Sequence, residues 1–288
     1  MKKLLLLLVL VGLFSCKKEK ALTLAYNEPN EIKKSVLIDK NDAYSNLYGF
    51  WVGEISLKRL NDTKNPIRLQ NLKIKIEKIN DNQVIAKTIS QGSFIETNGR
   101  IIEHGNIFKV ELKEDLNKKI THFIYSFQIS GNEIIGTRTT ENLNFPFPIA
   151  NFILHKKEFV YDKNNLTLPI DYLRKSTELK NGTFIDEGAK TDITDGIEKI
   201  NASSQILTEK RLKNLKKKDL ELIRNTVYAR HGLIFKSFDL SRNFFYNDWY
   251  LPVSENVDSE LTSLEKSNIE LLTRFEKYAK ENYSYFGR

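Results

Sequence analysis

Apolar and polar residues alternate along most of the segment from residue 47 to residue 157, which predicts β-strands. Leu72, Ile74 and Ile76 are separated by charged residues, and residues 108–112 follow the same pattern. Residues 123, 125, 127 and 129 are large and apolar and fall on one face of a further strand. Such alternation places one face towards a core and the other towards solvent. We therefore expect about eight short antiparallel strands, in a barrel or sandwich, over residues 43–160.

Turn residues separate the predicted strands and indicate a meander, in which each strand pairs with the next. The strongest turn signal is the pair Asn98 and Gly99, because both residue types accept the positive φ of a tight hairpin turn. Further turn signals lie at residues 80–82, 104–106 and 131–132. We expect large side chains to fill the interior, with no polar anchor for a ligand among them: Phe94, Phe108, Phe123, Tyr125, Phe127 and Phe152.

The chain from residue 205 onward is helical in pattern and rich in aromatic residues, with helices predicted at residues 218–232, 237–245 and 262–280. Gly232 is the residue type that commonly ends a helix in the left-handed conformation. Thr262 and Glu265 have the spacing of a capping box. The predicted fold class is therefore α+β, with an antiparallel β-domain at residues 43–160 and a small helical domain at residues 205–288. Between the two, residues 161–204 contain few apolar residues and are predicted to form a linker, with one short element near residues 171–174.

The amino terminus has the pattern of a bacterial export signal that ends at a cysteine. Lys2 and Lys3 precede an apolar run at residues 4–14, which is too short to span a bilayer as a permanent helix. Ser15 and Cys16 follow this run. The segment resembles a bacterial lipoprotein signal peptide. The resemblance implies cleavage after Ser15 and attachment of fatty acyl chains, such as palmitate, to Cys16.

A lipid on Cys16 would determine where the protein is located. Residues 1–15 would be removed as the signal peptide, and residues 16–42 would form a lipidated tether to the membrane. Lys17 stands where an aspartate marks retention in the inner membrane of enteric bacteria, so the outer membrane is favoured. Whether the body faces the periplasm or the cell surface stays open.

Composition and charge exclude several function classes. The 288-residue chain has a formal charge of +8, and removal of Lys2 and Lys3 with the leader leaves +6. An exported protein does not meet nucleic acid, so the basic charge favours a weak attraction to anionic envelope surfaces. Cys16 is the only cysteine, which excludes an internal disulfide. The four histidines lack metal-ligand spacing, and no nucleophile elbow or Gly-rich phosphate loop occurs. We therefore expect no enzymatic activity, metal or cofactor.

Residues 228–232 read Tyr-Ala-Arg-His-Gly and are the most specific motif of the chain. They match a YARHG domain together with the flanking residues 220–227 and 265–269 and with these aromatic positions: Phe235, Phe245, Trp249 and Tyr250. The carboxyl-terminal region thus resembles a YARHG domain. The resemblance implies a small module outside the cytoplasm that engages some component of the cell envelope.

A helical wheel over residues 218–232 places polar groups on the apolar face of the predicted helix. With Leu220 as the zero direction, His231 lies at about 20° and Arg224 at about 40°, inside the buried face. Asn268 lies within the apolar stripe of the last helix. Buried polar groups need partners, so we expect Arg224, His231 and Asn268 to form one polar cluster, joined by Tyr228 or the indole of Trp249.

Two interpretations of this cluster stay open. It could specify a unique packing, and a donor such as His231 is favoured at a helix carboxyl terminus without any functional demand. It could instead form a recognition site, with Arg230 turned outward to pair with a carboxylate or phosphate. The nearby aromatic residues could stack on sugars or form a core. The candidate binding or structural residues are Arg224, Asn225, Tyr228, Ala229, Arg230, His231, Gly232, Trp249, Tyr250 and Asn268.

Three functions fit these observations. The first is a non-catalytic envelope protein, held to the membrane by acyl chains on Cys16, whose YARHG-like module binds a cell-wall polymer or another envelope component. The second is a carrier of lipids or apolar small molecules, because Gly49 and Trp51 resemble the Gly-x-Trp opening of lipocalin-like barrels. The third is an accessory subunit of an envelope machine. The oligomeric state stays open.

Overall fold

The computed structural model describes residues 44–58, 68–90, 92–114, 122–142, 144–165, 184–185, 194 and 196–282. The leader, Cys16, the tether and the element expected near residues 171–174 lie outside the described residues. Within the described ranges, every helix is too short or too polar to span a bilayer.

Eight antiparallel strands form a closed barrel, because β1 pairs with both β2 and β8. The other strands pair with their neighbours in sequence, which confirms the predicted meander. A ninth strand, β9, pairs in parallel with the start of β2. The strands are β1 (Gly49–Leu57), β2 (Arg68–Asn80), β3 (Gln83–Ser90), β4 (Ser93–His104), β5 (Ile107–Glu114), β6 (Ile124–Ser130), β7 (Glu133–Thr139), β8 (Ile149–Lys157) and β9 (Phe184–Ile185).

Large side chains fill the interior of the barrel. Trp51 is fully buried, and its indole Nε1 donates to the carbonyl of Leu47 at 2.9 Å, so the segment before β1 packs against the barrel. Five of the six residues expected to point inward contact this core: Phe108, Phe123, Tyr125, Phe127 and Phe152. The prediction for Phe94 is wrong, because its side chain packs outside the barrel in a second cluster that includes residues of the helical region.

The interior also contains charged side chains, which corrects the expectation of no polar anchor. Glu114 and Arg138 are 3% and 6% exposed. The hydroxyl of Tyr125 donates to Glu114 Oε1 at 3.2 Å. The guanidinium of Arg138 lies 4.1 Å from the ring centre of Phe123 and donates to the carbonyl of Phe147 at 3.3 Å. Both side chains thus have hydrogen bonds within the barrel, although the Nε of Arg138 has no hydrogen-bond partner among the described residues.

The predicted turn at Asn98 and Gly99 is wrong, because both residues lie inside β4. Gly99 faces Leu112 of the neighbouring strand, and a Cβ at this position would clash with the main-chain carbonyl of Glu111. The glycine therefore permits a close approach between strands, which is its other common role in a sheet. The turns at residues 81–82, 105–106 and 131–132 are as predicted.

The helical region follows the predicted order. It contains α1 (Glu209–Leu212), α2 (Lys217–Arg230), α3 (Phe238–Phe245) and α4 (Ser263–Asn282), with single 3₁₀ turns at Ile197–Lys199 and Asp258–Glu260. Gly232 follows α2 with a φ of 74°, which confirms the left-handed stop. The capping box is also confirmed, because Glu265 N donates to Thr262 Oγ1 at 3.1 Å and Thr262 N donates to Glu265 Oε2 at 2.9 Å. Helices α2 and α4 pack against each other over one apolar core.

Lys73 of β2 joins the barrel to the helical region. The alternation predicted an exposed side chain, but Lys73 is completely buried. Its Nζ donates to the carbonyls of Asn247 at 2.9 Å and Tyr250 at 2.7 Å, and burial lowers its pKa to about 7. An apolar cluster shared by both regions contains Phe50, Val52, Ile89, Phe159, Phe245 and Leu251. The outer face of this part of the barrel is therefore a docking face for the helices and not a solvated one.

Candidate functional site

The carboxyl-terminal end of α2, which carries the Tyr-Ala-Arg-His-Gly signature, lies inside the protein. Arg230 is 1% exposed. Its guanidinium donates to the carbonyl of Asn165 from Nε at 3.1 Å and from Nη2 at 2.9 Å, and to Ser203 Oγ from Nη1 at 2.9 Å. Burial lowers the pKa of Arg230 to about 10. The expectation that Arg230 points outward to meet a ligand is wrong, because residues from the predicted linker cover it.

His231 forms a buried pair with Glu265. Its Nε2 lies 2.9 Å from Glu265 Oε2, and the ring of Tyr161 stacks on the imidazole with 4.3 Å between ring centres. The Tyr161 hydroxyl donates to Glu265 Oε1 at 3.1 Å. Burial alone would raise the pKa of Glu265, but the hydrogen bond and the charge of His231 bring the net pKa below its ordinary value. The ionised carboxylate thus fixes the start of α4 against the end of α2.

Asn268 is fully bonded to the main chain of the segment before α1. Its Oδ1 accepts from Leu207 N at 3.0 Å, and its Nδ2 donates to the carbonyls of Ala202 and Gln205, both at 2.8 Å. The side chain is 3% exposed. Asn268 therefore holds residues 202–207 against α4, which is a structural role.

Arg224 forms hydrogen bonds with a partner that neither His231 nor Asn268 contacts through a hydrogen bond. Its Nε and Nη2 donate to the two carboxylate oxygens of Glu276 at 2.6 and 3.0 Å. No hydrogen bond in the described part of the chain joins Arg224, His231 and Asn268, so the single polar cluster predicted from the wheel is wrong. A wheel gives directions around the axis, whereas Arg224 and His231 lie two turns apart along it, about 10 Å.

The aromatic candidates belong to the core. Tyr250 is 2% exposed and donates from its hydroxyl to the carbonyl of Leu233 at 2.8 Å. Trp249 is half-buried and lies edge-on to Phe244 and Tyr250. Ala229 is buried as well, and these placements favour the core interpretation over sugar stacking.

A cleft of about 420 Å³ opens beside α2, on the face of the helix that carries Arg224, Asn225 and Tyr228. Asn225 is 5% exposed, yet among the described residues no hydrogen bond satisfies its side-chain amide, and the amide lines the cleft. The rest of the lining combines apolar and acidic side chains: Leu233, Phe235, Leu240, Glu255, Asn256, Val257 and Asp258.

The electrostatics of the cleft follow from its carboxylates. Burial raises the pKa of the Tyr228 hydroxyl, the positive charge of Arg224 lowers it, and the nearby carboxylate of Asp258 raises it further. Burial alone would lower the pKa of Arg224, but the hydrogen bonds and charge of Glu276 raise it above its ordinary value. Arg224 is thus held as a cation by a neighbouring acid. Groups of three or more acidic, histidine or cysteine side chains that could hold a metal are absent from the described residues.

Sequence reasoning missed several residues that determine these arrangements. Tyr161, Asn165 and Ser203 lie in the predicted linker, and only their contacts reveal that they cover the signature. Glu265 was identified as a cap, and a histidine predicted to be buried at the end of another helix was a signal that a carboxylate should lie nearby. The cleft had no sequence signal beyond Arg224, Asn225 and Tyr228 lying on one helical turn.

Comparisons with known proteins agree with the helical module. Residues 197–277 match the family model of the YARHG domain, so this part of the chain is a YARHG domain. The match begins before residue 205, where the helical domain was expected to start. Comparison with curated proteins gives no match. Among solved structures, the chain is similar to Rv2717c from M. tuberculosis, with 13% identity and a TM-score of 0.29, over 40% of this chain and 96% of that chain.

Proposed function

We propose that this protein is a non-catalytic, lipid-anchored protein of the cell envelope whose YARHG domain binds a cell-wall or other envelope component through the cleft beside α2. The observation that carries this proposal is Asn225. The residue is 5% exposed and lines the cleft, and its side-chain amide has no partner among the described residues. An amide that lines the cleft and is not used within the fold can donate hydrogen bonds to a ligand and accept them from it.

The location in the envelope is supported by the leader and by Cys16 at its end. Acyl chains on this residue would hold the body at the membrane, with the outer membrane favoured. Cell fractionation tests this part: the natural chain is expected with the membranes and the Cys16→Ser variant with the soluble proteins. Recovery of both in the membrane fraction would remove Cys16 as the anchor.

A binding role is supported over a catalytic one by the residues of the cleft. Among the described residues, its lining contains no serine, cysteine, threonine, histidine or lysine. What the cleft offers is an apolar floor with a few polar groups around it, which is the usual composition of a binding site.

The experiment that tests binding is sedimentation of the full chain, kept soluble in mild detergent, with purified peptidoglycan. Tyr228 lines the cleft and is half-buried, whereas Tyr278 is exposed on α4. We expect Tyr228→Ala to weaken binding about fivefold or more, as truncation of a contact tyrosine commonly does, and Tyr278→Ala to leave it unchanged. Equal sedimentation of both variants and the natural chain would count against the cleft, and no sedimentation of the natural chain would refute cell-wall binding.

The carrier alternative receives less support. The inward side chains of the barrel form one contiguous cluster, and its charged groups Glu114 and Arg138 lie among protein partners. An apolar ligand would need to displace side chains such as Tyr125, Phe127 and Phe152. Extraction of the purified chain for co-purified lipid distinguishes the two functions.

A further inference from the structure

The cleft is acidic although the chain as a whole is basic. Among the described residues that line it, Arg224 is the only cation, and both oxygens of Glu276 already pair with it. The two carboxylates on the rim, Glu255 and Asp258, are exposed and form no ion pair with any described residue. The net charge of the cleft is therefore negative, while the full chain has a formal charge of +8. Anionic ligands such as phosphate polymers would be repelled here, and cationic ligands attracted.

Asn225 gives an independent indication of the ligand. Its side chain can donate two hydrogen bonds and accept two, and none of these is used within the described structure. A peptide group, which has one donor and one acceptor, is a natural partner for a primary amide.

The floor of the cleft suits an aliphatic segment. Phe235 and Val257 are buried beneath it, and Leu233 and Leu240 are half-buried at its sides. A short hydrocarbon stem laid on these side chains would remove apolar surface from water at both partners. An ammonium group at the end of such a stem would then reach the carboxylates of the rim.

We infer that the cleft binds the amine-bearing side chain of a diamino acid within a cell-wall peptide. The stem lies on Leu233, Phe235 and Val257, the ammonium group pairs with Glu255 and Asp258, and the amide of Asn225 bonds the adjacent peptide group. This inference rests on the proposed function, because it names the part of the cell wall that the YARHG domain contacts.

The test compares two synthetic cell-wall stem peptides that differ only at one lysine: one has the free amine and the other an acetylated amine. Binding to the full chain in mild detergent is measured by isothermal titration calorimetry at low and at high salt. We expect the free amine to bind about tenfold more tightly at low salt, and this difference to shrink in high salt because the carboxylates are exposed.

Matched variants test whether Glu255 and Asp258 cause the preference for the free amine. The double variant Glu255→Gln and Asp258→Asn should lose the preference for the free amine, whereas Glu270→Gln, at an exposed position of α4, should keep it. Circular dichroism of each variant checks that it is folded. Equal affinity for both peptides would overturn the inference, and if the protein still sediments with peptidoglycan the proposed function stands. Absence of binding to both peptides and to peptidoglycan would overturn the two together.

Discussion

Helix α2 carries two arginines, and the comparison between them separates structure from binding in this domain. Arg230 is completely enclosed and bonds a carbonyl and a hydroxyl from segments far away in sequence. Arg224 is partly exposed, pairs with Glu276 and lines the cleft. Arg230 and His231 of the signature therefore make folding contacts, while Tyr228, the first residue of the signature, lines the cleft together with Arg224 and Asn225, which precede it.

The largest expected effect comes from truncating these two arginines separately. Arg230→Ala leaves the carbonyl of Asn165 without its donors and opens a hole in the interior, so we expect the free energy of unfolding to fall by about 3–5 kcal/mol. Arg224→Ala leaves the carboxylate of Glu276, which is 8% exposed, without its partner at a site that solvent partly reaches, so it should cost about 2 kcal/mol. Urea denaturation of the full chain, followed by circular dichroism at the helix band, measures both. If both variants lose the same free energy of unfolding, Arg230 is no more important for the fold than Arg224.

A second test extends the comparison to Lys73, a buried cation that comes from the barrel. Its pKa is about 7 in the folded protein against an ordinary value of 10.5, since burial outweighs the attraction of Asp248, and Lys157 adds repulsion. Between these pH values the unfolded chain binds more protons, so the free energy of unfolding should rise with pH. We expect a rise of roughly 2 kcal/mol from pH 7 to pH 9 that is missing from Lys73→Met.

The control for this pH effect is Lys109→Met, because Lys109 is exposed on β5. Urea denaturation at pH 7 and pH 9 is measured for the natural chain and both variants. The Lys109 variant should keep the full rise. If the Lys73 variant keeps it too, the buried amine does not control the contact between the barrel and the YARHG domain.

The fold was largely predictable because alternation reports which face of a strand is buried. The barrel, the turns at residues 105–106 and 131–132 and the stop at Gly232 all follow from local patterns. The environment of Lys73 was not predictable in this way. Alternation shows that its side chain leaves the barrel outward, but the covering residues lie more than 170 positions later in the chain.

The candidate site was less predictable, because a local sequence pattern does not show which distant segments cover a side chain. A helical wheel assigns directions to Arg224, Arg230 and His231, but it carries no information about which distant segment covers each end of the helix. Tyr161 and Asn165 come from a stretch whose composition indicates a linker, and they decide that Arg230 is buried. Asn225 was named among the candidate residues, and only the structure shows that it lines a cleft and that its amide bonds none of the described residues.

The smallest expected change in stability, at Asn225, is also the most informative about binding. Asn225 and Asn268 are both buried asparagines, but Asn268 makes three hydrogen bonds to the main chain, whereas among the described residues none reaches the side chain of Asn225. Asn268→Leu should lower the free energy of unfolding by about 3 kcal/mol, because it leaves main-chain groups unpaired. Asn225→Leu removes a polar group that has no partner, so we expect a change within about 0.5 kcal/mol, or a small gain.

At this position we expect the affinity for the ligand to fall although the stability of the fold does not. Asn225→Leu is expected to keep its fold, as measured by urea denaturation, and to lose affinity for peptidoglycan about tenfold, because a leucine cannot bond the ligand. This combination is what a polar group predicts when it is not used within the fold and bonds a ligand instead. If Asn225→Leu instead unfolds as readily as Asn268→Leu, then Asn225 is a structural residue like Arg230 and His231, and the cleft loses its main support as the binding site.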